Sequence, residues 1–173
     1  MQPRFIILDD GWQQVDNLPS GEIRLTGLGA NAKFPGGLAP TVRMAKEEFG
    51  IDLFTVWHAV LGYWGGVDGA ALPQYGIRPL ARTFGRGILH HVPDHNENWW
   101  GRVVGTVPPE KLAAFYQDYH RRLRLEGVDG VKVDTQAFIE GVAAGYGGRV
   151  AYMRAVREAL EGSAQVHFRG NLI

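Results

Sequence analysis

Four apolar residues, Phe5, Ile6, Ile7 and Leu8, run without a break into Asp9 and Asp10, and Gly11 and Trp12 follow at once. A short unbroken apolar run bounded by turn residues predicts a buried strand. From Gln13 to Phe34 the pattern has little period and reads as loop. The spacing of Val42, Ala45 and Phe49 predicts an amphipathic helix from Pro40 to Phe49, closed by Gly50. A second apolar run, Ile51 to Val60, broken by Asp52 and His58, predicts another strand. Residues 61 to 107 mix Gly, Pro, His, Asn and Trp without a period and predict a long loop with at most one short element. Pro109 opens the clearest helix of the chain: Leu112, Phe115, Tyr116, Tyr119 and Leu123 fall on one side, acid stands at its start, arginines near its end, and Gly127 stops it. "VDGVKVD" predicts a third strand, Gly148 to Leu160 a helix, and "AQVHF", residues 164 to 168, the start of a fourth strand. Strands alternating with helices predict parallel β/α units. With no internal repeat, low-complexity tract or linker, one domain is expected to cover residues 1–173.

Composition narrows the partners. The chain has 173 residues, 45% of them apolar and 21% charged, which suits a globular domain with a core. Lys plus Arg and Asp plus Glu both total 18, which removes the electrostatic case for nucleic acid or an anionic membrane and favours a neutral partner. Without cysteine there is no disulfide, thiolate zinc site or thiol nucleophile. No signal-like segment and no run long enough to span a bilayer is present, so a cytoplasmic chain is expected. Tight turns from 24 glycines, beside five tryptophans, six tyrosines and eight phenylalanines, are the combination sugar sites need: flat apolar faces edged by polar groups.

The most informative stretch is "GVKVDTQ", residues 130 to 136. Alternation along a strand points Lys132, Asp134 and Gln136 one way and Val131 and Val133 the other. At the C-terminal mouth of a barrel such a polar face meets a ligand; alternatively, a Lys132–Asp134 ion pair fills the mouth and binds nothing. With "LDDGW", two strands end in carboxylates, the set that nucleophilic chemistry on a neutral polyol requires. Other candidates read more plainly. His90, His91, Asp94 and His95 invite a metal, but Pro93 breaks any helix that would align them, so a polar loop is expected. His58 reads as a hydrogen-bonded residue at a strand end that could reach the site, and Trp99 and Trp100 as loop anchors or a platform for the aglycone. Lys46, Glu47 and Glu48 form a solvated helix face, and Arg121, Arg122 and Arg124 complement a helix end. "GYGGRV" follows no strand in the manner of a phosphate loop.

Through "ILDDGWQ", "RLTGLGANAKFPGGL", "VWHAVLGYWGGV", "VPPEKLAAFYQDYH", "GVDGVKVDTQ" and "GYGGRV", in the family's order and weakest over residues 68 to 105, the chain resembles the raffinose synthase, alkaline α-galactosidase and seed-imbibition-protein branch of glycoside hydrolase family thirty-six. The resemblance implies a (β/α)₈ barrel and a retaining mechanism on α-linked galactose, with Asp134 as the nucleophile and Lys132 beside it lowering its proton affinity. It implies that Asp9 and Asp10 grip the 4- and 6-hydroxyls of galactose, that Gln136 is a sugar-binding amide, and that Trp57 or Trp64 gives a stacking face. No metal or cofactor is implied, and the expected ligand is a galactose-containing oligosaccharide of raffinose type, or galactinol. The family's first, Trp-rich strand and its general acid/base, an Asp on a strand well beyond "KVD", find no match here. Since such a barrel takes about 250 residues, the fold class expected is a partial barrel, strands two to about five, as an internal fragment of the catalytic domain with little activity alone. Three functions follow: an α-galactosidase or raffinose-synthase-like galactosyltransferase, a non-catalytic galactoside-binding remnant, or a metal-dependent barrel hydrolase.

Overall fold

The computed structural model describes residues 4–83, 85 and 102–170. Three strands form a parallel sheet in the order β1, β4, β7: β1 is Phe5–Leu8, β4 Leu53–Ala59 and β7 Gly130–Asp134. Helices make the crossovers, as parallel strands require. Helix α1 (Ala39–Glu47) lies on β4; α2 (Pro109–Leu125) packs along α4 (Arg149–Phe168), and α4 touches β7. One four-residue helix, α3 (Ile139–Val142), lies between β7 and α4.

The loop expected over Gln13 to Phe34 is instead an antiparallel hairpin, β2 (Gln13–Asn17) with β3 (Ile23–Ala30). A second hairpin, β5 (Arg78–Ala81) with β6 (Val103–Thr106), interrupts the expected loop of residues 61 to 107. Both follow the C-terminal end of a parallel strand. Residues Gly65 to Val67 lie between them: Val67 bridges Leu25 of β3, and Gly66 bridges Gly105 of β6. Only glycine fits there, because a Cβ on Gly66 would stand 2.1 Å from the Gly105 carbonyl oxygen, and one on Gly105 would stand 1.9 Å from that of Val67.

The expected fourth strand at "AQVHF" is corrected by the structure: those residues are the last turns of α4. Tyr152, Val156, Leu160, Ala164 and Phe168 are all buried, so one apolar stripe at helical spacing runs to the helix end. Ser163 donates to the Tyr116 carbonyl at 2.9 Å and fixes α4 on α2. Phe49, expected on the buried side of α1, is instead 62% exposed past that helix's end, while Val42 and Ala45 are buried as expected. The core is unusually aromatic: Trp12, Trp57, Phe54, Phe115, Tyr116, Tyr119 and Tyr152 are each under 3% exposed. No helix among the described residues is long and apolar enough to cross a membrane.

Candidate functional site

Register builds the site. Trp57 lies opposite Lys132 and Ala59 opposite Asp134 across β4 and β7, while Leu8 of β1 lies opposite Val56. The residue after Leu8, Asp9, therefore comes level with Trp57. Because side chains alternate, Asp9, Trp57 and Lys132 form one row across the sheet, and Asp134 stands one step further toward the C-terminal ends. Lys132 Nζ donates to Asp9 Oδ2 at 2.6 Å across that row. This hydrogen bond holds the Asp9 carboxyl below its ordinary range and raises the Lys132 ammonium. The ion pair Lys132 makes thus spans the sheet, rather than closing onto Asp134 on its own strand.

Two indoles hold the other carboxylates. Trp57 Nε1 donates to Asp134 Oδ2 at 3.1 Å, and Trp64 Nε1 to Asp10 Oδ2 at 2.8 Å. The two rings pack on each other at 5.7 Å, with Tyr63 edge-on to Trp57 at 5.9 Å. Burial, with the neighbouring Asp10 carboxylate, raises the Tyr63 hydroxyl. Trp57 is only 1% exposed, so it presents its N–H to the mouth and no open face to a sugar; the half-buried Trp64 keeps part of its ring accessible. The Trp57 carbonyl is held in turn by Trp12 Nε1 at 2.8 Å. Gly11, at φ +101°, makes the turn after the acidic pair, and Asn31 Nδ2 fastens it by donating to the carbonyls of Gly11 at 2.9 Å and Gln13 at 3.1 Å. The glycine supplies a backbone conformation that side chains rarely adopt.

The polar face expected at Lys132, Asp134 and Gln136 contracts to its first two members. Strand β7 ends at Asp134, Thr135 takes a left-handed conformation, and Gln136 enters a 3₁₀ turn where its Nε2 donates to the Val133 carbonyl at 3.1 Å. His58 points to the opposite face from Trp57. It is fully buried among Tyr116, Tyr119 and His120, with its Nε2 3.2 Å from His120 Nε2, and does not reach the mouth. His90, His91, Asp94, His95, Trp99 and Trp100 lie outside the described residues. Among the described residues, no group of three or more acidic or imidazole side chains could hold a metal. Sequence reasoning missed the Asn31 clasp and the indole N–H grips. The run "YW" directly after an apolar strand was the available signal for the latter, since indole is a donor that needs a partner when buried.

Fold and site together define a parallel β/α protein with a carboxylate-lined, indole-braced mouth at its strand ends. The model of the family described as raffinose synthase or seed imbibition protein Sip1 matches residues 1–173, and the chain belongs to that family. It is 36% identical over 190 residues to the probable galactinol-sucrose galactosyltransferase 6 of Arabidopsis thaliana, covering 98% of this chain and 25% of that protein. It is 33% identical over 198 residues to the galactinol-sucrose galactosyltransferase of Pisum sativum, again covering 98% of this chain and 25% of that protein. The chain thus spans about a quarter of the length of these relatives. Among solved structures it is similar to TtGalA, the α-galactosidase from Thermus thermophilus in complex with stachyose, with TM-score 0.57 and 18% identity, covering 95% of this chain and 32% of that one. At that identity the likeness is one of fold.

Proposed function

We propose that this chain carries the galactose-binding and nucleophilic part of a retaining α-galactosyl enzyme, a raffinose-synthase-like galactosyltransferase or an α-galactosidase, on a segment of a (β/α)₈ barrel. The observation that carries the reading is the row Asp9, Trp57, Lys132, with Asp134 beside it at the end of the neighbouring strand. The relatives' names point the same way.

The carboxylates differ in how their charge is matched. Asp9 faces a cation, whereas the donors on Asp134 among the described residues are two neutral N–H groups, the indole of Trp57 and the amide of Thr135. Neutral donors fix a carboxylate without cancelling its charge and leave two of its four lone-pair positions open. Asp134 is therefore the nucleophile: one oxygen bonds the anomeric carbon of galactose as the bond to the leaving oxygen breaks, and water or a sugar hydroxyl then displaces the ester. Protonation of the leaving oxygen falls to the Asp that the family carries on a later strand. Asp9, Asp10 and Lys132 grip hydroxyls, with charged partners that make hydrogen bonds stronger than neutral ones. The accessible part of Trp64 offers the stacking face. A galactose-containing oligosaccharide or galactinol is the donor this set fits.

Calorimetric titration with galactose and with glucose tests the reading. Galactose is expected to bind and glucose to bind at least tenfold more weakly, a difference of about 1.4 kcal/mol for the one hydroxyl that glucose turns away from the carboxylates. Asp10→Asn should abolish the discrimination. Equal binding of the two sugars would contradict the reading.

A further inference from the structure

Among the described residues, two that are not glycine have positive φ: Arg169, at +55°, and Thr135, at +60°. Arg169 caps the end of α4, where a left-handed residue is routine. Thr135 has no such excuse. It sits between strand β7 and a 3₁₀ turn, and it is β-branched, the side-chain type for which this region is a true outlier. Its hydroxyl adds to the anomaly, since Oγ1 is shielded from solvent and has no hydrogen-bond partner among the described residues. Strain of this kind persists where the surroundings over-determine it, and it clusters at active sites.

The surroundings here are plain. The Asp134 carbonyl accepts from the Val60 amide at 2.8 Å, and the Thr135 carbonyl from the Phe138 amide at 2.9 Å, so the peptides on either side are fixed to β4's end and to the following turn. In this conformation the Thr135 amide donates to Asp134 Oδ1 at 2.6 Å, while Trp57 Nε1 holds Oδ2. Two donors on two oxygens fix both the place and the plane of the carboxylate. We propose that Thr135 is a positioning residue, its strained left-handed backbone aiming an amide at the Asp134 carboxylate and locking the orientation in which that carboxylate attacks. Glycine would make the same turn without strain, but its permissive backbone would let that peptide tilt about its Val60 anchor and loosen the amide's aim. The branched side chain trades stability for a fixed amide.

The proposal rests on the reading of Asp134 as nucleophile, and its test separates the two. Thr135→Gly and Thr135→Asn are compared with the unaltered protein in thermal melting, in the amide proton shift at position 135, and in the rate of adduct formation with an activated galactose-configured fluorosugar. Relief of strain by Thr135→Gly is expected to raise the melting midpoint by about 2–4 °C. The same variant should shift that amide proton upfield, as its hydrogen bond to Asp134 weakens, and slow adduct formation about tenfold. Thr135→Asn, which tolerates the left-handed region, should keep the amide shift and an adduct rate near that of the unaltered protein. A lower melting midpoint for Thr135→Gly, an unchanged amide shift, or an adduct rate equally slow in both variants would overturn the proposal. If the unaltered protein forms no adduct, the nucleophile assignment fails, while melting and the amide shift still decide whether Thr135 is strained against Asp134.

Discussion

Each carboxylate of the candidate site is held by its own set of donors, and removing one donor at a time tests their proposed roles. Trp57→Phe keeps a ring in the core and deletes the N–H that reaches Asp134. It should slow attack by that carboxylate roughly tenfold, ~1.4 kcal/mol, with galactose affinity nearly unchanged; an affinity loss matching the rate loss would place Trp57 in sugar binding instead. On the far face of β4, His58 and His120 have a determinate proton arrangement. The Ala59 carbonyl only accepts, so His58 Nδ1 carries the hydrogen, at 2.9 Å. His58 Nε2 is then bare and accepts from His120 Nε2–H at 3.2 Å, which leaves His120 Nδ1 bare and without a partner among the described residues. Burial pushes His58 down to about 4 and His120 well below its usual value, the latter helped by His58 and His167, with Tyr116 and Tyr119 packed around the pair. Both rings are neutral when folded, whereas unfolded histidines take up protons near 6.5. Stability is therefore full above that pH and falls as pH drops from about 6.5 toward 4, by on the order of 3 kcal/mol for His58. Urea midpoints across that window should show the fall, and His58→Phe should lessen it while leaving the share of His120; a flat profile in the unaltered protein would contradict the burial argument.

At the scale of elements, helices were legible and hairpins were not. The stripe of Leu112, Phe115, Tyr116, Tyr119 and Leu123 needs only local spacing to declare a helix, and all five side chains are buried on α2. At "AQVHF" a local reading of five residues suggested a strand, because the buried partners that reveal a helix, Tyr152, Val156 and Leu160, lie one to three turns upstream. Hairpins β2–β3 and β5–β6 are hard to read locally, since both strands of the first carry half-buried or exposed residues and the second pairs Ala81 with Val103 across a long connection. Their order comes from contacts distant in sequence, above all the glycine interlock of Gly66 and Gly105. That interlock is testable. Gly105→Ala drives a methyl into the Val67 carbonyl and should cost ~2–4 kcal/mol in urea unfolding; a loss within ~0.5 kcal/mol would show that the hairpins are not locked there.

At the scale of the molecule, the site exists because the strands are parallel and in register. Asp9, Asp10 and Asp134 were legible as site candidates because carboxylates at the ends of apolar runs are visible in sequence, and Lys132 because it alternates with Val131 and Val133 on the face of Asp134. Their mutual partners were not: the Lys132–Asp9 bond joins residues 123 positions apart, and only the β1–β4–β7 order makes them neighbours. Gln136 illustrates the converse, since a two-residue period projects its side chain onto the face of Lys132 and Asp134 until the left-handed turn at Thr135 ends the strand. On the solvent side, Phe5, Ile6 and Leu53 leave an apolar patch about 40% exposed at the β1 edge of the sheet. The proposed function rests on Asp134 acting as a nucleophile, its carboxylate held by Trp57 of the neighbouring strand. Incubation with an activated galactose-configured fluorosugar, whose leaving group needs no acid, followed by mass spectrometry of the digested protein, addresses it most directly. One galactosyl adduct on the peptide containing Asp134, absent in Asp134→Asn, is the predicted result; an adduct on Asp9 or Asp10, or none on protein that binds galactose, would contradict it.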